Sequence, residues 1–265
     1  MRIIYPLLVI VILVGCRRNN AARSLQAAKD YNLIVQNLSS VVPGIIHLTK
    51  NESNLLEALR DSIDVNATCG NIIYLSGDTT DISLDPIEFE IDYPFCKDAD
   101  SVIRNGKIKI TLFDYLSNED AFCNVVFNDL NFDNQELEAS FVLSRVGENE
   151  FNLNPTELFQ RVGTRRIQYD ADFLYVFTSG IDPNGILDDV LTVAEQGVLT
   201  DRNAKVYNIT NGGITRDISC KWFSSGIVEM VDEDNATQVL DYSKTLCEPT
   251  AELKFEGDSL VVNLP

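Results

Sequence analysis

The 265-residue sequence predicts a mainly β protein: an antiparallel body, either sandwich-like or an extended sheet, with two related β units and a short helical N-terminus. Three observations predict it. Runs in which apolar and polar residues alternate recur from residue 87 to the C-terminus. Turn clusters rich in Gly, Asn and Asp separate them. Two pairs of cysteines, Cys69 with Cys96 and Cys220 with Cys247, repeat the same spacing at opposite ends of that region. With 45% hydrophobic and 23% charged residues, the chain can build a sizeable core and is neither disordered, collagen-like nor a coiled coil.

The first element is an address. Residues 1–15 read as a signal peptide: Arg2 gives a short basic start, and Ile3 to Val14 form an apolar run interrupted by Tyr5 and Pro6. That run is too short for an ordinary membrane-spanning helix. It ends in Leu13-Val14-Gly15-Cys16, which resembles a bacterial lipobox. The resemblance implies cleavage before Cys16 and acylation, as with palmitate, of its thiol and new amino group. Several acyl chains anchor a protein stably where one would be marginal. Arg17, Arg18 and Arg23 follow, where anionic headgroups would attract them. The rest is strongly acidic: 40 acidic against 21 basic residues give a formal charge of −19. Such a surface does not neutralise phosphates, so no nucleic acid partner is expected.

Residues 16–66 form the lipid-anchored leader and N-terminal helices. Leu25, Ala28, Leu33, Val35 and Leu38 recur near helical spacing, predicting a helix over 21–38 that Val41-Val42-Pro43-Gly44 ends. A second short helix is expected over 53–63, capped by Ser53. Residues 67–265 form the β-rich domain. Its expected strands include 87–93, 107–113, 123–130, 137–143, 166–177 and 260–264, and helical spacing returns only around 187–196.

The cysteine spacing belongs to an internal repeat, with related units about 69–112 and 220–264. Ile91-Asp92-Tyr93 precedes the second Cys of one copy, and Leu240-Asp241-Tyr242 that of the other. Ten residues beyond each second Cys stand Gly106 and Gly257, leading into apolar segments. Copy symmetry favours disulfides Cys69–Cys96 and Cys220–Cys247 with Cys123 free. The cross-copy pairs Cys69–Cys220 and Cys96–Cys247 are equally symmetric but require distant units to meet. An oxidising envelope permits either, and a loop of this size contributes about 3 kcal/mol through the unfolded chain. No cysteine spacing fits a metal site and His47 is the only histidine, so no metal or other cofactor is expected.

The N-terminal helix, FEIDYPFC, RNGKIKITL, SCKWFSSGIVEM, VLDYSKTLC and the closing hydrophobic strand together resemble a family of Bacteroidetes envelope lipoproteins. Members carry an I-D-[FY]-G…C…GRxRxGKI segment and later a C-[KR]-W…SG…LDYG…C segment. Here Pro94 and Ser243 replace the glycine after Asp-Tyr, and IRNG replaces the basic run. The resemblance implies localisation and fold and brings no activity with it.

Chemistry-bearing motifs are sparse. Any Ser-His-Asp or Cys-His arrangement would have to use His47, which sits among apolar neighbours with no G-x-S-x-G elbow elsewhere. Cys123 in CNVVF reads as a small buried hydrophobe. The 182–189 loop has carboxylates, but an EF-hand frame centred on Gly185 puts Gly180 and Leu191 where acidic ligands belong. Trp222 and the other aromatics read as core. Asp-Ser-apolar triplets at Ser62, Ser101 and Ser259 resemble envelope O-glycosylation acceptors. The functional expectation is a lipid-anchored envelope protein of non-catalytic structural or interaction role. It would be held in the outer membrane (periplasmic face or cell surface) through acylated Cys16, with an envelope protein as possible partner. The alternative is a periplasmic binder or carrier of a small or lipidic ligand, in a cavity between the two β units.

Overall fold

A computed structural model describes residues 4–61, 69–79, 81–97, 101–179, 188–243 and 247–265, with side chains in the first helix from residue 22 onward. Two helices come first, α1 (Ile4–Thr49) and α2 (Glu52–Asp61). Thirteen strands follow: β1 (Asn71–Ser76), β2 (Ile87–Lys97), β3 (Ile103–Leu112), β4 (Phe122–Phe132), β5 (Gln135–Gly147), β6 (Glu150–Val162) and β7 (Arg165–Ser179), then β8 (Val190–Thr200), β9 (Val206–Asp217), β10 (Ile227–Asp232), β11 (Thr237–Asp241), β12 (Thr250–Phe255) and β13 (Asp258–Asn263). Each strand pairs antiparallel with the next, so the sheet is one uninterrupted meander with β1 and β13 at its edges. Of the two arrangements the alternation allows, the chain adopts the single extended sheet.

One face of that sheet is buried from β2 to β12, while the edge strand β1 has no buried residue. On β7 the inward set is Ile167, Tyr169, Ala171, Phe173, Tyr175 and Phe177, and the residues between them are exposed or half-buried. The matching surface is α1. From Ala27 to Leu48 the helix is buried on all sides, with Ala28, Ile34, Leu38, Val42 and Ile45 each 0% exposed. It lies within contact of β6 and β7 and equally of β12 and β13. A sheet of thirteen twisted strands must curl or split; this one curls around a central helix.

That environment explains why α1 runs through Pro43-Gly44, where the sequence suggests an end. A proline inside a helix removes a hydrogen bond and costs about 3 kcal/mol. Val41, Val42, Ile45, Ile46 and Leu48 around it are all buried, and each such side chain returns about 1.5–3 kcal/mol. The helix stops at Thr49, where Leu116 N donates to Thr49 O at 2.8 Å and Asn54 Nδ2 to His47 O at 2.8 Å. The cap of α2 is Asn51 rather than Ser53: Asn51 Oδ1 accepts from Asn54 N at 2.9 Å. The helical spacing around 187–196 also gives way, since residues from Val190 form β8 between β7 and β9. There Leu191, Val193 and Glu195 point inward with strand period, and two long neighbours override local propensity.

Both disulfides join cysteines within a unit, Cys69 to Cys96 and Cys220 to Cys247, with Cα–Cα distances of 5.8 and 5.6 Å. The two copies share an inward tyrosine, Tyr93 at 1% and Tyr242 at 0% exposure. They part at the glycine. Gly106 lies inside β3 at φ 119°, where a Cβ would stand 2.2 Å from Asp129 O. Gly257 instead sits in the turn that sends the chain back as β13.

Candidate functional site

Polar contacts between α1 and the inner face of the sheet form a buried cluster of functional groups. Hydrophobic periodicity would place Asp30, Tyr31, Asn32, Gln36, Asn37 and Ser39 partly outward, yet all are buried. Each is matched to the sheet or to its own helix. Asp30 accepts from Arg202 N at 2.9 Å and Arg202 Nε at 2.7 Å in the turn between β8 and β9, and from Gln26 Nε2 at 2.8 Å. Asn37 Nδ2 donates to Gln160 Oε1 on β6, and Gln160 in turn donates to Glu136 O. Ser39 meets the Tyr175 hydroxyl on β7 at 3.3 Å. The Tyr242 hydroxyl donates to Asn32 Oδ1 at 3.0 Å, and Asn32 donates to Gln36.

At the centre is Glu195 of β8, 5% exposed. Its Oε1 accepts from the Tyr31 hydroxyl and from Asn211 Nδ2 at 2.9 Å, while Oε2 has no hydrogen-bond partner. Burial pushes its pKa up to about 7, against the pull of the Tyr31 and Asn211 hydrogen bonds toward the ionised form. The same desolvation raises Tyr31, Tyr169 and Tyr242 well above the usual phenol value. A carboxyl whose pKa burial brings to about 7 and whose position the donors fix is a proton-linked joint between helix and sheet.

These contacts also orient α1. Asp30 lies at the rim formed by the β4–β5, β6–β7, β8–β9, β10–β11 and β12–β13 turns. Thr49 lies at the opposite rim beside the β3–β4 turn. The helix therefore enters at the first rim, and Cys16 stands on the N-terminal stretch of α1 that precedes this entry. Its side chain lies outside the described residues. Among the described residues no helix is long and apolar enough to cross a membrane.

The other singled-out residues sit apart from the cluster. His47 is half-buried beside Asn54, and burial, then Lys50, lowers its pKa. Cys123 is a free buried thiol whose pKa burial raises to about 12, which keeps it out of the nucleophilic thiolate form. Trp222 packs against the core and its Nε1 donates to Pro265 O at 3.1 Å. Ser101 and Ser259 are exposed. Ser62 and residues 180–187, which hold most of the carboxylate loop, lie outside the described residues. Among the described residues no group of three or more His, Cys, Asp or Glu side chains could hold a metal ion.

No sequence pattern signals that Glu195 and Tyr31, 164 positions apart, meet. The polar residues of 30–39 gather on one half of the helix circumference, the pattern of an ordinary amphipathic surface helix, so periodicity alone does not reveal that the sheet covers that side as well. The chain matches no family model, no curated protein and no solved structure.

Proposed function

We propose that the chain is a lipid-anchored cell-envelope protein with a non-catalytic structural or interaction role. In this reading it is acylated at Cys16 and held at the outer membrane. The observation that supports it is α1 itself: one helix carries the Cys16 position and fills the interior of the curled sheet. With the inside occupied, the outer face and the two sheet edges are left for contacts. The β1 edge suits such a role. Ile73, Tyr74 and Leu75 are each about two-fifths exposed, and the strand has none of the lysines or prolines that usually blunt an edge.

Two measurements on protein extracted from its own envelope test the proposal. Intact mass should show residues 1–15 removed and acyl chains added, and Cys16→Ser should abolish both changes. In-cell crosslinking from Ile73 or Leu75 should trap a discrete envelope protein. The carrier alternative needs α1 to vacate the sheet; a stoichiometric apolar ligand retained in native mass spectrometry would favour it and count against the interaction role.

A further inference from the structure

We propose that the two edges of the sheet are the two halves of one joint: β13 of one copy pairs in parallel with β1 of a second copy of this chain. That copy is then the partner of the β1 edge. Both edge strands are six residues long, NIIYLS in β1 and DSLVVN in β13. Among the described residues each pairs with a single neighbour, so the outer N–H and C=O groups of its backbone face no strand. Asp258 is the one charged residue in either, and neither carries the lysine or proline that usually keeps edges apart. Their apolar side chains stand in water: Val261 is 70% exposed, and Ile73, Tyr74 and Leu75 are exposed as well. Such an edge takes up another strand through its main chain, and the side chains select which.

The two strands fit each other residue by residue. Ile72 and Tyr74 stand opposite Ile91 and Phe89 of β2, which point into the core, and on β13 Leu260 and Val262 turn the same way. Setting Asn71 beside Ser259 therefore places Ile72 by Leu260 and Tyr74 by Val262 on the inner face, and Ile73 by Val261 on the outer face. Charge does not oppose this contact, although the chain as a whole carries −19. Next to β1, Glu88 is held by Lys109 at 3.2 Å and Glu90 by Lys107 at 3.0 Å. Next to β13, Lys254 of β12 holds Asp241 at 2.7 Å.

Direction selects the parallel joint, and this step rests on the lipid-anchor reading. Every strand is antiparallel to the next, so β1 and β13 run the same way, away from the rim where α1 enters. Copies anchored through Cys16 in one membrane share that orientation, and β13 of one then meets β1 of the next head to tail. A twofold β1–β1 pair is antiparallel and turns the two entry rims to opposite ends, which one membrane cannot hold. Six residues a side is far below the roughly 20–30 of a standard interface. The joint therefore needs the raised local concentration that anchoring supplies. Head-to-tail contacts build rows or, where the rotation closes, rings.

The test expresses Ile73→Cys and Val261→Cys as separate, differently tagged full-length chains in the same cells and oxidises their envelope membranes. A mixed disulfide between the two chains is expected, with neither variant bridged to itself. One chain carrying both substitutions should give a ladder of multimers. Leu75 and Asn263 face each other in the same register. Leu75→Lys in the first chain with Asn263→Lys in the second should therefore weaken the mixed bridge severalfold, and Leu75→Lys with Asn263→Glu should restore it. Both positions are exposed, so the fold itself is not at stake. No mixed bridge, a bridge between two Ile73→Cys chains, or a doubly substituted chain that bridges only within itself overturns the joint. A different protein trapped at Ile73 overturns it too and leaves the interaction role standing. Intact mass of the same membranes reads the acyl chains independently. An acylated chain without the mixed bridge sinks the assembly and keeps the anchor; a mixed bridge in an unacylated chain upholds the joint and removes the membrane as what aligns the copies.

Discussion

Replacing Glu195 with Gln should flatten the pH dependence of stability. In the folded protein the Glu195 carboxyl titrates near 7; its ordinary value is 4.5. Between those values the unfolded chain releases a proton that the folded chain keeps, so the unfolded state binds fewer protons and stability falls as pH rises. The full-strength favourable state lies below pH 4.5, and the loss is complete above the folded pKa. A difference of about 2.5 units corresponds to about 3 kcal/mol. Gln has the same shape, is neutral throughout, and its Oε1 can still accept from Tyr31 and Asn211. Urea denaturation of both forms at pH 4.5 and pH 8 measures the effect. The wild-type protein should lose about 3 kcal/mol more than Glu195→Gln across that interval, and the variant should be the more stable at pH 8. Equal losses in the two forms would refute the claim that this carboxyl is buried at the helix–sheet joint.

Three further outcomes follow from the same geometry. Asp30→Ala strands the Arg202 guanidinium and two further donors, Arg202 N and Gln26 Nε2, at the entry rim, and should destabilise by about 3–5 kcal/mol in urea titrations; a change below 1 kcal/mol would mean that this pin is solvent-screened. Cys123 should resist iodoacetamide in the folded protein at pH 8 and react once unfolded without reductant, while Cys69, Cys96, Cys220 and Cys247 stay unlabelled until reduced; peptide mapping reads both results. Asn51→Ala removes the α2 cap and should lower stability by about 1 kcal/mol, visible as a shift of the urea midpoint with unchanged slope.

What the sequence made legible was local. Strand alternation placed the β2 to β5, β7 and β13 segments because each inward residue meets the same buried face. The equal cysteine spacings found both disulfides because each bridge closes within one unit. What it hid depended on distance along the chain. Pro43-Gly44 reads as a helix end until the sheet is seen to bury that turn on every side. The residues from Val190 read as helical until β7 and β9 are placed beside them. Asp30 with Arg202 and Tyr31 with Glu195 are separated by 172 and 164 positions, and no local pattern records such meetings.

The central claim is that α1 occupies the inside of the sheet as part of the stable fold. Amide hydrogen exchange of the mature protein tests it most directly. The account predicts that the amides of Ala27 to Leu48 exchange only through global unfolding, with the same protection as the centre of β7. Rapid exchange in α1 while the sheet stays protected would contradict it, and would mean that the helix leaves and the interior opens.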